Sequence, residues 1–151
     1  MMAYLDTSAL LAVLDASDEY HPPAKELWAK LLTSGAILVA SNYVLVETHA
    51  LLQRRLGMEA VRVFHADIVP LLKVEWVSEA VHLCGVHALV TANRRGLSLV
   101  DCVSFEVMRR LGIKDVFTFD QDFAEQGFNC LTGASVKGSS SGAGGFFVQE
   151  G

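Results

Sequence analysis

Short apolar runs alternate along the chain with longer segments in which apolar residues recur at helical spacing. The short runs predict strands at Met2–Leu5, Ala36–Ala40, Lys73–Trp76, Asp115–Phe119 and Phe128–Leu131. The second run is apolar throughout and does not alternate with polar residues, which is typical of a strand covered on both faces.

The segments between these runs carry helix signals at their ends. Asp6-Thr7-Ser8 supplies capping side chains before Ala9–Leu14, and Ser41-Asn42 supplies them before a helix that Gly57 closes. Further helices are predicted at 22–35, 58–72, 77–93, 98–111 and 120–126. Strands that alternate with helices indicate an α/β fold, a three-layer α/β/α domain with a central parallel sheet.

The chain divides into a domain at 1–132 and a tail at 133–151. Six of its 12 glycines lie at or beyond Gly133, where serines accompany them, so we expect this tail to be flexible and outside the fold. The first residues lack the basic and apolar stretches of a signal peptide, and no apolar run approaches the roughly 20 residues of a membrane helix. We therefore expect a soluble, cytoplasmic protein with no membrane partner.

Acidic residues follow the predicted strands or lie in the helices just after them. They are Asp6, Glu47, Asp101, Asp120 and Asp122. Each has an ordinary structural explanation, since Asp6 and Asp120 suit N-caps and Asp101 completes a capping-box spacing with Ser98. Ligands of parallel α/β sheets nevertheless bind at the carboxyl ends of the strands, where these acids are predicted to meet.

Carboxylates that converge in a cleft repel one another and must be protonated or bind a cation. Oxygen ligands without histidine or cysteine partners favour Mg²⁺ or Mn²⁺. The net charge of −5 argues against a broad basic nucleic-acid surface, but setting the four residues Asp6, Glu47, Asp101 and Asp120 aside leaves 13 acids against 12 basic residues. The acidic excess therefore describes one site more than a whole surface.

The chain resembles the PIN-domain nucleases, and among them the VapC-like toxin subunits of VapBC-type toxin–antitoxin pairs. The resemblance rests on Tyr4–Leu11, Ser41–Glu47, Leu97–Cys102 and Val116–Phe123, in the order and spacing of the family. It implies a PIN fold with Asp6, Glu47, Asp101 and Asp120 as catalytic and metal-binding residues around one or two Mg²⁺ or Mn²⁺ ions. Asp122 would be an accessory metal ligand. Polar residues near the pocket, expected to contact substrate, are Thr7, Ser8, Asn42 and Thr118.

The implied activity is divalent-metal-dependent endoribonuclease cleavage of RNA phosphodiester bonds, with an antitoxin protein as partner and a homodimer as the assembly. An acidic pocket needs separate cations for the substrate phosphates, and the candidates are Arg54-Arg55, Arg94-Arg95 and Arg109-Arg110. Helix-end positions that favour the helix dipole explain such pairs equally well.

Two other functions fit parts of the pattern. The first is a catalytically inactive PIN-type interaction module, which retention of all four acids disfavours. The second is a phosphatase or receiver domain on a doubly wound sheet. A phosphatase of the haloacid-dehalogenase type needs Asp-x-Asp after the first strand, and this chain has Ser8 where the second aspartate belongs.

Overall fold

The first strand occupies the centre of the sheet. The computed structural model describes residues 1–131. Within them the strands are β1 (Met2–Leu5), β2 (Ile37–Ser41), β3 (Lys73–Glu75), β4 (Asp115–Phe117) and β5 (Asn129–Leu131). They form a parallel sheet in the order β3-β2-β1-β4-β5. Ala3, Tyr4 and Leu5 are fully buried, because a central strand is covered on both faces.

Helices flank this sheet and connect its strands. They are α1 (Thr7–Leu14), α2 (His21–Ser34), α3 (Asn42–Leu56), α4 (Met58–Val63), α5 (Glu79–Ala92), α6 (Leu99–Leu111) and α7 (Asp122–Glu125). The predicted three-layer α/β architecture is therefore confirmed, and the predicted caps are present. Asp6 accepts a hydrogen bond from the Ser8 N–H at the start of α1, and Ser41 caps α3 through the Val44 N–H.

The two helices α5 and α6 pack closely. Gly85 of α5 lies against Val103 of α6, and a Cβ added at Gly85 would come within 2.6 Å of Val103 Cγ2. A buried hydrogen bond of 2.8 Å between the Tyr4 and Ser104 hydroxyls joins α6 to β1. The position of α6, which carries Asp101, is thus fixed from two sides.

A predicted helix and a predicted strand differ from the observed elements. The helix predicted over 58–72 ends at Val63 and continues as a π-helical turn, Phe64–Ile68, and a 3-10 turn, Val69–Leu71. Pro70 lies in the 3-10 turn, where it cannot donate the backbone hydrogen bond that an α-helix through Leu72 needs. The strand predicted over 115–119 stops at Phe117. The residues that follow it, including Thr118 and Asp120, belong to the site described below.

The predicted tail at 133–151 lies outside the described residues. Within 1–131, no helix combines the length and apolar character that a membrane span requires.

Candidate active site

The register of β1 and β4 places the ends of these strands side by side. Leu5 pairs with Phe117, and the Asp6 N–H donates to the Phe117 carbonyl at 3.1 Å. Asp6 and Thr118, which are 112 residues apart, are therefore neighbours at the carboxyl edge of the sheet. This is the edge at which parallel sheets bind ligands.

Two hydroxyl groups hold one oxygen of Asp6. Ser8 Oγ donates to Asp6 Oδ2 at 2.7 Å, and Thr118 Oγ1 donates to the same oxygen at 2.8 Å. Each hydroxyl in turn accepts a backbone N–H, from Phe119 to Ser8 and from Asp120 to Thr118. These backbone donors orient both hydroxyl protons toward Oδ2. Burial raises the pKa of Asp6, and the two hydroxyl donors offset part of that rise.

Asp101 serves two purposes at the first turn of α6. It forms a capping box with Ser98, in which the Asp101 N–H donates to Ser98 Oγ at 3.0 Å and the Ser98 N–H donates to Asp101 Oδ2 at 3.2 Å. The capping interpretation from the sequence is thus confirmed, and it coexists with a place in the acidic pocket. Burial, followed by the charges of Asp6 and Asp120, raises the pKa of Asp101 to about 7.

Asp120 and Asp122 follow β4 in a tight turn. The Asp122 N–H donates to Asp120 Oδ1 at 2.9 Å. Burial raises the pKa of Asp120, and the charges of Asp6, Asp122 and Glu125 add to the rise. Carboxylate oxygens of Asp101, Asp120 and Asp122 all lie within 4.8 Å of one another, so this trio is close enough to share a cation.

Glu47 reaches the same pocket from the second turn of α3. A cavity of about 220 Å³ is lined by Asp6, Thr7, Ser8, Leu11, Glu47, Leu51, Ser98, Asp101 and Asp120. The four acids that the sequence singled out thus line a single cavity. Glu47 also lies beside a second, largely apolar pocket that Val46 and Val100 line. Apolar residues near Glu47 in the sequence thus form part of this pocket.

The four polar residues predicted to contact substrate differ in their surroundings. Asn42 Oδ1 accepts the Val77 N–H at 2.7 Å, so this side chain joins α3 to the segment before α5. Thr7 is buried, and its hydroxyl has no hydrogen-bond partner among residues 1–131. The hydroxyls of Ser8 and Thr118 support Asp6. A direct contact of these four residues with substrate remains a prediction.

A larger cleft adjoins the acidic pocket, and sequence reasoning missed it. It has a volume of about 610 Å³ and shares Ser8, Leu11 and Asp120 with the smaller cavity. Its other lining residues are Asp15, Asp18, Glu19, Tyr20, Arg55, Gly96, Phe119 and Asp122. Tyr20 stacks on Phe119 with ring centroids 4.6 Å apart. No sequence signal brings the segment between α1 and α2 to this edge, because only the packing of α1 against α2 places it there.

The arginine pairs separate into two groups. Arg109 donates to Gln126 and lies over the Phe128 ring, while Arg110 pairs with Glu106 at 2.6 Å, so both act on the outside of α6. Arg55 lines the large cleft. Arg94 forms an ion pair of 3.1 Å with Asp122 at the site itself.

Comparisons with known proteins agree with this geometry. A family model described as PIN domain matches residues 3–129. The 23S rRNA-specific endonuclease VapC20 of Mycobacterium tuberculosis is 38% identical over 128 residues, which span 84% of this chain and 95% of that protein. The crystal structure of that VapC20, described as a sarcin-ricin loop cleaving toxin, matches with a TM-score of 0.78 and 35% identity, over 87% of this chain and 99% of the other. FitAcB from Neisseria gonorrhoeae matches with a TM-score of 0.60 at 15% identity, over 89% of this chain and 99% of the other, which is a likeness of fold alone.

Proposed function

Since this chain belongs to the PIN-domain family, we propose that it is a divalent-metal-dependent endoribonuclease and the toxin of a toxin–antitoxin pair. The observation that carries the proposal is the convergence of Asp6, Glu47, Asp101 and Asp120 on one cavity. The similarity to an rRNA endonuclease over nearly its whole length supports RNA as the substrate.

The donor set suits Mg²⁺ or Mn²⁺, as one or two ions. Burial and mutual repulsion raise the pKa of Asp6, Asp101 and Asp120, and a bound cation would relieve that repulsion. Within the described part of the chain, the cluster close enough to share an ion contains carboxylates without histidine or cysteine, which is the ligand chemistry of hard cations. We assign Asp6, Glu47, Asp101 and Asp120 as the residues that would hold the metal.

When bound, a divalent ion would acidify a water molecule and offset the charge of the scissile phosphate. The residues of the chain supply orientation and proton transfer. Ser8 and Thr118 fix the Asp6 carboxylate in the wall of the pocket by donating to Oδ2. Glu47 is partly exposed and lines the same cavity, so its carboxylate is placed to accept a proton from the attacking water.

The large cleft supports an antitoxin as partner. Its walls carry Asp15, Asp18 and Glu19 next to Asp120, an arrangement that favours an arginine or lysine side chain inserted by a partner. Leu32 of α2 and Leu56 of α3 are exposed apolar residues that an antitoxin helix would cover. We expect the reading frame next to this gene to encode a small protein whose co-expression suppresses RNA cleavage.

We also include a homodimer in the proposal. Val46 of α3 and Val90 of α5 are 68% and 70% exposed, and the hydrogen bond between Tyr43 and His82 joins these two helices. Exposed apolar side chains on adjoining helices favour self-association. Light scattering on a sizing column should give twice the chain mass, and Val46→Glu should reduce it to the mass of one chain.

Cleavage of labelled RNA tests the central proposal. Purified protein should cut single-stranded RNA or an rRNA fragment with Mn²⁺ or Mg²⁺ and should not cut it in EDTA. Asp6→Asn and Asp120→Asn should each reduce the rate at least 100-fold, as expected when an electrostatic contact to the reacting groups is lost. Asp67→Asn is the matched control, because Asp67 is exposed on the π-helical turn. Full activity in both site variants would refute the assignment.

A further inference from the structure

The ion pair between Arg94 and Asp122 is distinct from the other acidic contacts of the site. Arg94 Nη2 donates to Asp122 Oδ1 at 3.1 Å. The side chain of Asp122 is 11% exposed, whereas that of Arg94 is 51% exposed. Arg94 therefore reaches the acidic cluster from the solvent side and presents its remaining N–H groups outward.

We infer that Asp122 positions Arg94 to bind a phosphate of the RNA, and that Asp122 is not itself a metal ligand. This inference rests on the proposed function. The first argument is occupancy, because one oxygen of the Asp122 carboxylate is already engaged by a cation. A divalent ion bound to Asp101, Asp120 and Asp122 together would lie close to the Arg94 guanidinium and be repelled by it.

The second argument is location. Asp122 and Gly96 line the large cleft, and Asp120 lines both that cleft and the acidic cavity. Arg94 follows Asn93, which ends α5 with a left-handed φ of 52°, and the Leu97 N–H donates back to the Arg94 carbonyl at 3.3 Å. Arg94 itself lines neither cavity, but its ion pair with Asp122 holds it beside the wall of the large cleft. A strand of RNA that enters the acidic cavity from the cleft passes Asp122 and its partner Arg94.

The third argument is chemistry. A guanidinium has five N–H donors, and one pairs with Asp122, so donors remain for a phosphodiester oxygen. Arg55 also lines the large cleft, whereas Arg109 and Arg110 are engaged on the outside of α6. Arg94 differs from Arg55 in that its ion pair is with an acid of the cluster itself, so it is the arginine we assign to the phosphate beside the acidic pocket.

Metal binding and RNA cleavage, measured separately on the full chain, test the assignment. The variants are Asp122→Asn, Arg94→Gln and Asp120→Asn, with Arg62→Gln as the matched control. Arg62 makes an exposed ion pair with Glu59 on α4, away from the site. Mn²⁺ affinity is measured by titration calorimetry without RNA, and kcat and KM are measured with labelled RNA at several salt concentrations.

We expect Asp122→Asn to keep its Mn²⁺ affinity within about twofold, while Asp120→Asn loses about tenfold or more. Asp122→Asn and Arg94→Gln should each raise KM about tenfold with little change in kcat. Arg94→Gln should also lower the slope of log KM against log salt by about 0.7, the value for one phosphate on a single strand. Arg94→Lys should recover part of the loss, because it restores the charge without the planar fork.

The double variant decides whether the two residues act together. If Asp122 acts through Arg94, then the variant that combines Asp122→Asn with Arg94→Gln has a KM no higher than that of Arg94→Gln alone. Effects that multiply, or a Mn²⁺ affinity in Asp122→Asn as low as in Asp120→Asn, would overturn the inference. If the unmodified chain cuts no RNA at all, the proposed function fails, and the Mn²⁺ affinities still decide whether Asp122 is a ligand.

Discussion

Asp101→Asn should stabilise the metal-free protein at pH 8 while it abolishes RNA cleavage. The pKa of Asp101 rises from 3.8 to about 7 on folding, through burial and the charges of Asp6 and Asp120. The unfolded chain then loses this proton at lower pH than the folded chain does. The protonated Asp101 side chain therefore contributes its full stability only below the pKa of the unfolded chain. That contribution is lost as the pH rises from about 4 to about 7.

The difference between these pKa values corresponds to about 4 kcal/mol at about 1.4 kcal/mol per pH unit. Asp101 is only partly buried, so solvent screens part of this energy and we expect the variant to gain about 2–4 kcal/mol at pH 8. The asparagine amide oxygen can still accept the Ser98 N–H, so the capping box of α6 survives the substitution. At pH 4 the gain should nearly vanish, because Asp101 is protonated there in the folded protein.

Urea denaturation in EDTA at pH 4, 5.5, 7 and 8 measures this effect. The stability of the unmodified chain relative to Asp101→Asn should fall from pH 4 to pH 7 and level off between pH 7 and pH 8. Millimolar Mg²⁺ at pH 8 should restore the stability of the unmodified chain and leave the stability of the variant unchanged. Equal pH dependence in the two proteins would refute the reasoning, as would a variant that is less stable than the parent at pH 8. Asp67→Asn, at an exposed position, should show no such gain.

Three further perturbations test the supporting contacts. Thr118→Val removes a hydrogen bond to Asp6 Oδ2, so the pKa of Asp6 should rise further and the acid limb of the kcat/KM profile should move to higher pH; an unshifted limb would contradict the role of that hydroxyl. Gly85→Ala forces a Cβ within 2.6 Å of Val103 and should cost about 1–3 kcal/mol in urea unfolding, whereas Gly96→Ala meets no atom within 4 Å and should cost much less. Tyr4→Phe leaves the buried Ser104 hydroxyl unpaired and should cost about 1–2 kcal/mol, and adding Ser104→Ala should recover part of that loss in thermal unfolding.

Local patterns in the sequence predicted much of the fold. The continuous apolar run before Asp6 and the capping residues after it located β1 and α1, because strand burial and helix capping are both recorded in adjacent residues. The helix predicted through Leu72 was wrong beyond Val63. Apolar spacing continues through the π-helical turn, so periodicity alone could not show where the backbone hydrogen bonds change.

The position of the acidic pocket was predictable from where the acids lie along the sequence. Each acid follows a strand or lies in the first two turns of a helix, and a parallel sheet brings those positions to one edge. The pairings within the site were not predictable. The ion pair of Arg94 with Asp122 joins the turn after α5 to the turn after β4, and its existence depends on tertiary packing.

The order of the strands also has a consequence for the timing of synthesis. The residues Thr118 and Asp120 are made more than 110 residues after their neighbour Asp6, and β1 is completed on that side only when β4 pairs with it. A chain still emerging from the ribosome therefore carries an incomplete set of carboxylates. If these acids cleave RNA, that activity can appear only when nearly the whole domain has been translated.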